Sequence, residues 1–293
     1  MTDDLQKNST STAITINIIV SLFLVAIKLA VGFITNSMAI FVSALDSLMD
    51  VGSSIVNLIA SLKAAKPPDD DHAYGHGKIE SLAALFQSTL IGFSGLMLLV
   101  EAVKRLIYGS RVENIPSGIA VMVAAMGVAG FLVIQMRFFQ KKKRSLILET
   151  ESLHYTTDVL TNGGVIIALV LVAWTGKSIW DLLISMLIAL YIFKVASQIL
   201  THAVDELLDR SLPPVSMEQI EAIIRSYDPS IVGLHNFRSR QVGSQIFMDF
   251  HIEIRGESDF KKAHLMTEGL ITRIQSQYPG SDVTVHYDPE GEF

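Results

Sequence analysis

The sequence contains no cysteine. Disulfides, thiolate metal sites and cysteine nucleophiles are therefore excluded, and any metal centre must be built from histidine, aspartate and glutamate. Charge is scarce as well. Asp, Glu, Lys and Arg make up 18% of the 293 residues, against about 25% in an average soluble domain. Half of the chain is hydrophobic and the mean hydropathy is +0.43. Those values exclude a disordered chain and an ordinary water-soluble enzyme. An excess of basic charge is also missing: 23 Lys and Arg stand against 29 Asp and Glu, for a net charge of −6. Nucleic acid is not an expected partner. At the N-terminus, Met1 to Thr12 is polar and acidic, without a basic stretch or a small-residue cleavage site, so the first apolar run is read as retained rather than as a signal peptide.

What the sequence does have is long apolar runs. A bilayer-spanning helix needs about 20 mostly apolar residues. Six runs qualify: Ala13–Ile34, Ser37–Leu62, Ser81–Val103, Ile115–Phe139, Leu146–Thr175 and Ile179–Val204. Loop charge sets their expected orientation, because cytoplasmic loops are enriched in Lys and Arg. One side collects Lys7, Lys63, Lys66, Lys78, the Arg137–Arg144 cluster and Arg210; the other has Lys104, Arg105, Arg111 and Lys177. Both termini are therefore expected in the cytoplasm. The Arg137–Arg144 cluster reads as a topology signal in contact with anionic lipid.

From about Leu212 the composition becomes that of a small water-soluble domain. Pro213-Pro214 ends the last span, and Ser216-x-x-Gln219 has the form of a capping box opening a helix to Tyr227. Strands are expected at Ile231–Val242 and Gln245–Arg255, a helix at Ser258–Tyr278 and a last strand at Asp282–Tyr287. In the second strand Ile246, Met248, Phe250, Ile252 and Ile254 alternate with polar or half-buried positions. The order αββαβ predicts an α+β domain with helices on one face of a three-stranded sheet. The expected division is a six-span transmembrane domain, 1–211, and a tail domain, 212–293.

Ionisable residues inside membrane spans are costly and mark function. The second run holds Asp46 and Asp50, and the fifth holds His154 and Asp158. Each pair is spaced i,i+4 and so shares one helix face. Three carboxylates and one imidazole would complete a tetrahedral shell acceptable to Zn²⁺, with Fe²⁺, Mn²⁺ and Cd²⁺ not excluded by ligand type. Ser43, Ser54, Asn57 and Asn162 extend the polar stripes, as if a wet path ran along the helices. Between the second and third runs, Asp69, Asp70, Asp71, His72 and His76 form a compact set of O and N ligands. In the tail, His286 and Asp288 point to one face of a strand. His251 lies on the polar face of its own strand, and His235 and His264 are further candidates whose convergence the spacing does not establish.

The Asp46-x-x-x-Asp50 and His154-x-x-x-Asp158 pairs, with the loop Asp70-Asp71-His72-Ala-Tyr-Gly75-His76-Gly77-Lys78-Ile-Glu80, closely resemble the cation diffusion facilitator family, nearest to its bacterial divalent-metal exporters. The resemblance covers nearly the whole chain. It implies a homodimeric divalent-cation/proton antiporter of the inner (plasma) membrane, not an enzyme. Its six-helix transmembrane domain would be followed by a metallochaperone- or ferredoxin-like cytoplasmic domain. It implies a transport site of Asp46, Asp50, His154 and Asp158, and a loop site of Asp69, His72 and His76, where Asp70 or Asp71 could replace Asp69. It further implies a cytoplasmic binuclear site of His235, His251, His264, His286 and Asp288, and a Lys78–Asp209 salt bridge near the dimer interface. Family members with His at the 154 position tend toward Zn²⁺ or Cd²⁺. Tyr287 departs from relatives that often carry a polar residue there.

Metal displaces protons from its ligands, so one site can carry either cargo but not both. His154 is the expected proton-exchanging group, because imidazole changes charge near neutral pH. Two other classes of protein fit the same residues less well. A membrane metallohydrolase would need an open metal position and a nucleophile motif such as HExxH or GxSxG, which the sequence does not show. A metal sensor without transport would explain the tail but not carboxylates in mid-membrane.

Overall fold

The computed structural model describes residues 2–35, 38–108, 115–141, 145–177, 179–256 and 260–291. The side chains of Lys7, Ser43, Asp46 and Arg105 lie outside the described residues, as do Arg111, Lys142, Lys143, Arg144 and Ser258. The chain forms two compact units, 1–204 and 205–293.

The first unit is built from α1 (Thr2–Thr35), α2 (Met38–Ala64), α3 (Lys78–Tyr108), α4 (Ile115–Gln140), α5 (Leu146–Thr175) and α6 (Ile179–Leu207), whose last turn enters the second unit. Among the described residues, five of these helices hold a stretch long and apolar enough to cross a bilayer: Thr10–Val31, Lys78–Lys104, Val123–Gln140, Leu146–Val172 and Leu182–Leu207. The sixth expected span falls on α2, a 27-residue helix that carries Asp46 and Asp50.

The polarity of this unit is inverted relative to a water-soluble bundle. Large apolar side chains such as Phe23, Ile134 and Leu187 are exposed, while Asn17, Ser21, Ser54, Asn57, Gln87 and Glu151 are buried. Lipid accepts the apolar exterior, and the polar groups must find partners inside. Ser53 bonds Gln87 between α2 and α3, for example. Helices approach closely where side chains are small. Ala84 and Ile91 of α3 interleave with Ile192, Val195, Ala196 and Ile199 of α6, and a Cβ on Gly95 would come within 2.9 Å of Ile192.

Helix α5, which carries His154 and Asp158, is fixed at both ends. Its N-cap Ser145 is extended and makes no cap bond with its own hydroxyl. Instead Glu80 of α3 accepts from the Ser145 hydroxyl at 3.0 Å and from the Leu146 N–H at 3.2 Å. A carboxylate at a helix N-terminus is stabilising. At the other end Gly176 adopts φ 67°, and its N–H bonds Val172 O at 2.8 Å.

The second unit contains α7 (Pro214–Tyr227), β1 (Ile231–Val242), β2 (Gln245–Ile254), α8 (Phe260–Gln277) and β3 (Asp282–Pro289). The expected αββαβ order is present. The strand order is β1-β2-β3, with β1 antiparallel and β3 parallel to the central β2. Ile220 and Ile224 of α7 and Ala263, Leu270 and Ile274 of α8 share one core with Met248, Phe250, Ile252 and Ile254 of β2. Both helices therefore cover one face of the sheet. The capping-box reading at Ser216 is corrected: α7 starts at Pro214, after Pro213, with no side-chain cap bond. Proline's fixed φ suits the first helical position and sets the start two residues earlier.

Candidate metal centres

In the first unit, His154 Nε2 lies 3.1 Å from Asp50 Oδ1 and 3.8 Å from Asp158 Oδ2. Candidate ligand atoms of all three fall within 4.8 Å of one another. The i,i+4 spacing places His154 and Asp158 on one face of α5, and α2 supplies Asp50 opposite. All three side chains are partly buried. Asp46, the fourth expected ligand, is outside the described residues. Beside the group lies a cavity of about 210 Å³ whose lining includes Lys28, Ser47, Asp50, Asp158, Thr161 and Asn162. Lys28 is buried and donates to Ser47 Oγ at 2.7 Å.

The wet path expected along α2 is corrected in part. Ser54 and Asn57 do not line this cavity; both hydrogen-bond to the buried carboxylate of Glu151. Sequence spacing alone does not single out Glu151, because an acid in the first turns of a helix is ordinary. The available signal was its i,i+3 relation to His154.

In the α2–α3 connection, Asp69 Oδ1 accepts from the His72 N–H at 2.7 Å and lies 3.2 Å from His72 Nδ1. Its other oxygen is 3.3 Å from His76 Nε2. The turn is closed by Gly75, at φ 76°, whose N–H bonds His72 O. Of the three consecutive acids, Asp69 is the one grouped with both histidines; Asp70 and Asp71 are exposed. The His72 N–H, followed by the side-chain bond and the nearby imidazoles, holds the Asp69 carboxyl below the usual carboxylate range.

In the second unit, register aligns three histidines. His235 pairs with His251 across β1 and β2, and His251 pairs with His286 across β2 and β3. Ring centroids are 5.1 and 4.6 Å apart. These rings lie on the sheet face opposite the core side chains of β2. Asp288 sits among them, buried, and addresses both sides of the row. Its Oδ2 is 3.1 Å from His251 Nδ1 and 3.3 Å from His235 Nε2, while Oδ1 is 3.1 Å from His286 Nε2. A carboxylate presented this way can bridge two ions. Glu253, which the spacing did not single out, lies 3.5 Å from His235 Nδ1.

His264 is not brought to this group. It is exposed on α8, where it stacks on Phe260, and α8 covers the other face of the sheet. Tyr287 also points to the core side, so it holds no ligand position in this cluster. Lys78 opens α3, and Asp209, in the second unit, lies 3.3 Å from the Arg240 guanidinium.

An apolar-skinned helical unit with an acid–imidazole group inside, followed by an α/β unit with a row of histidines, defines a membrane protein with candidate metal ligands in both units. Residues 14–208 match the cation efflux transmembrane domain, and residues 212–290 match the cytoplasmic domain of cation efflux proteins. The chain belongs to the cation efflux (cation diffusion facilitator) family, a family of transporters, and it is not an enzyme. It is 37% identical over 269 residues to the cation-efflux pump FieF of Salmonella arizonae, covering 92% of this chain and 89% of that protein. It is 36% identical over 271 residues to FieF of Cronobacter sakazakii, covering 92% and 90%. Among solved structures, the metal-bound C-terminal domain of the CzcD transporter from Thermotoga maritima is 26% identical, at a TM-score of 0.25, over 28% of this chain and 98% of that one.

Proposed function

We propose that this chain exports divalent metal cations from the cytoplasm in exchange for protons, with Zn²⁺ the preferred cargo and Cd²⁺, Fe²⁺ or Mn²⁺ further substrates. The observation that carries the reading is the imidazole of His154 set between the carboxylates of Asp50 and Asp158, inside a bundle with an apolar exterior. Asp46 would complete the shell from the same helix as Asp50. Three carboxylates and an imidazole suit a borderline cation at tetrahedral geometry. Metal must displace protons from these ligands, so alternate exposure of one site couples the two flows in opposite directions.

In this reading α2 is the sixth span, the termini face the cytoplasm of a bacterial inner membrane, and the protein works as a homodimer surrounded by lipid. The Asp69–His72–His76 loop is a second metal site, and the histidine row with Asp288 is a regulatory one on the cytoplasmic domain, 212–293. A Lys78–Asp209 salt bridge near the dimer interface and a transmembrane domain of 1–211 belong to the same reading. Counterflow in proteoliposomes tests the proposal. Zn²⁺ uptake driven by an opposing proton gradient, with matching proton movement, is the expected result. Metal binding without flux would instead favour a sensor.

A further inference from the structure

Glu151 lies in the interior of the helical unit, 1% exposed. Three side chains from two other helices meet it. Asn17 Nδ2 of α1 is 2.6 Å from Oε2, Asn57 Nδ2 of α2 is 2.7 Å from Oε1, and the Ser54 hydroxyl is 3.2 and 3.4 Å from the two oxygens. Asn17, Asn57 and Ser54 are 0%, 1% and 2% exposed. Among the described residues no Lys or Arg pairs with this carboxylate. A buried charge whose hydrogen-bond donors are all neutral is incompletely compensated.

The two asparagines show a second deficit. Asn17 Oδ1 and Asn57 Oδ1 are both buried without a hydrogen-bond partner among the described residues. Two of the five oxygens in the cluster therefore receive no hydrogen. Buried acceptors are ordinarily satisfied, and an orphaned pair beside a carboxylate is a place where a bound cation would supply the missing partner. Turning each carboxamide about its terminal bond exchanges O for N at nearly the same place. The pocket would then present a carboxylate, two amide oxygens and a hydroxyl: an all-oxygen donor set, which suits hard cations.

We propose that Glu151, Asn17, Asn57 and Ser54 form a separate cation site, occupied by a divalent cation held through oxygen alone. Glu151 precedes His154 by three residues, about 4.5 Å of helix rise, on nearly the same face. A cation here is a close neighbour of one at Asp50, His154 and Asp158. Mutual repulsion makes the site a weak staging post, from which an ion is passed on rather than stored. That staging role rests on the transport reading; the binding itself does not.

The test counts Mn²⁺ by electron paramagnetic resonance in the full-length chain, with Asp50, Asp158, His72, His76, His235, His251 and His286 all replaced by Ala. One Mn²⁺ per chain is expected at about 1 mM, and further Glu151→Gln should weaken it by about tenfold or more. No bound ion, or bound ions indifferent to Glu151→Gln, would overturn the site. In the otherwise native chain, where folding is not in question, Asn57→Asp should tighten Mn²⁺ at this position, and an unchanged Mn²⁺ count and affinity would count against it. For staging, Glu151→Gln alone should slow Zn²⁺ loading of the transport site by about tenfold while leaving its equilibrium affinity within about threefold. Equal loss of both would mean that Glu151 only holds the helices together. Absence of flux in the unmodified protein would remove the transport reading and leave the Mn²⁺ count to decide the site.

Discussion

His154 Nε2 and Asp50 Oδ1 face each other at 3.1 Å across the gap between α5 and α2. The same ring nitrogen lies 3.8 Å from Asp158 on its own helix. The α5 pair is held at fixed spacing by the helix, whereas the distance to Asp50 depends on how α2 sits against α5. A small shift between these two helices would open or close the ligand group, which is the kind of movement that alternating access requires.

Asp50→Ala and Asp158→Ala should each lower Zn²⁺ flux by about tenfold or more, the usual scale for losing a metal-site interaction. Both remove a charge from within the bundle, so folding should not suffer. Flux in proteoliposomes, with circular dichroism and size-exclusion profiles as folding controls, decides it. A folded variant with normal flux would take that residue out of the site.

In the tail, Asp288 should matter most, because its two oxygens touch His235, His251 and His286. The unit has its own core, so residues 212–293 can be studied alone. Saturation at 100 times the dissociation constant should stabilise it by about 2.7 kcal/mol. Asp288→Asn should remove most of the resulting rise in Tm, and His264→Ala should leave it intact. A loss of the same size from His264→Ala would bring that residue into the cluster after all.

How far the sequence carried is clearest at these two tail residues. The alternation in β2 shows which side of the sheet is polar, and His251 follows from it. Whether His264 reaches that side depends on which face α8 covers, and that is settled by the packing of Ala263, Leu270 and Ile274. The membrane half divides similarly. Apolar run length finds the helices, and i,i+4 spacing finds His154 with Asp158. The partners of Glu151 come from α1 and α2, more than 90 residues away in the chain. No local pattern encodes a convergence of that kind.

The loop gives a prediction in pH. The Asp69 carboxyl is held below its ordinary value, chiefly by the His72 N–H. A depressed carboxylate contributes order that is present above the unperturbed value of about 3.9 and lost only as pH falls through the lowered one. In the His72 amide resonance, followed in the full chain from about pH 7 to pH 3, the step linked to Asp69 should therefore be centred below the normal carboxylate midpoint. In Asp69→Asn that step should vanish. An Asp69-dependent step centred at or above the ordinary value would show that the bond to His72 does not hold the charge.

His154 should set both metal choice and acid sensitivity. Imidazole is a nitrogen donor that suits Zn²⁺, whereas all-oxygen shells favour harder ions such as Mn²⁺. His154→Asp leaves only carboxylates facing the ion, so the preference for Zn²⁺ should relax toward Cd²⁺ or Mn²⁺. Imidazole is also the ligand type whose proton competes with metal near neutral pH. Its removal should move the acid limb of Zn²⁺ binding toward the carboxylate range. The measurement is binding of Zn²⁺, Cd²⁺ and Mn²⁺ between about pH 5.5 and pH 8, with His72, His76, His235, His251 and His286 replaced so that the intramembrane group is read alone. If ranking and pH profile both match the unmodified protein, His154 does not touch the ion, and the 3.1 Å contact with Asp50 is a structural pair. If the ranking relaxes but the pH profile stays, His154 is a ligand and the exchanged proton belongs to the carboxylates.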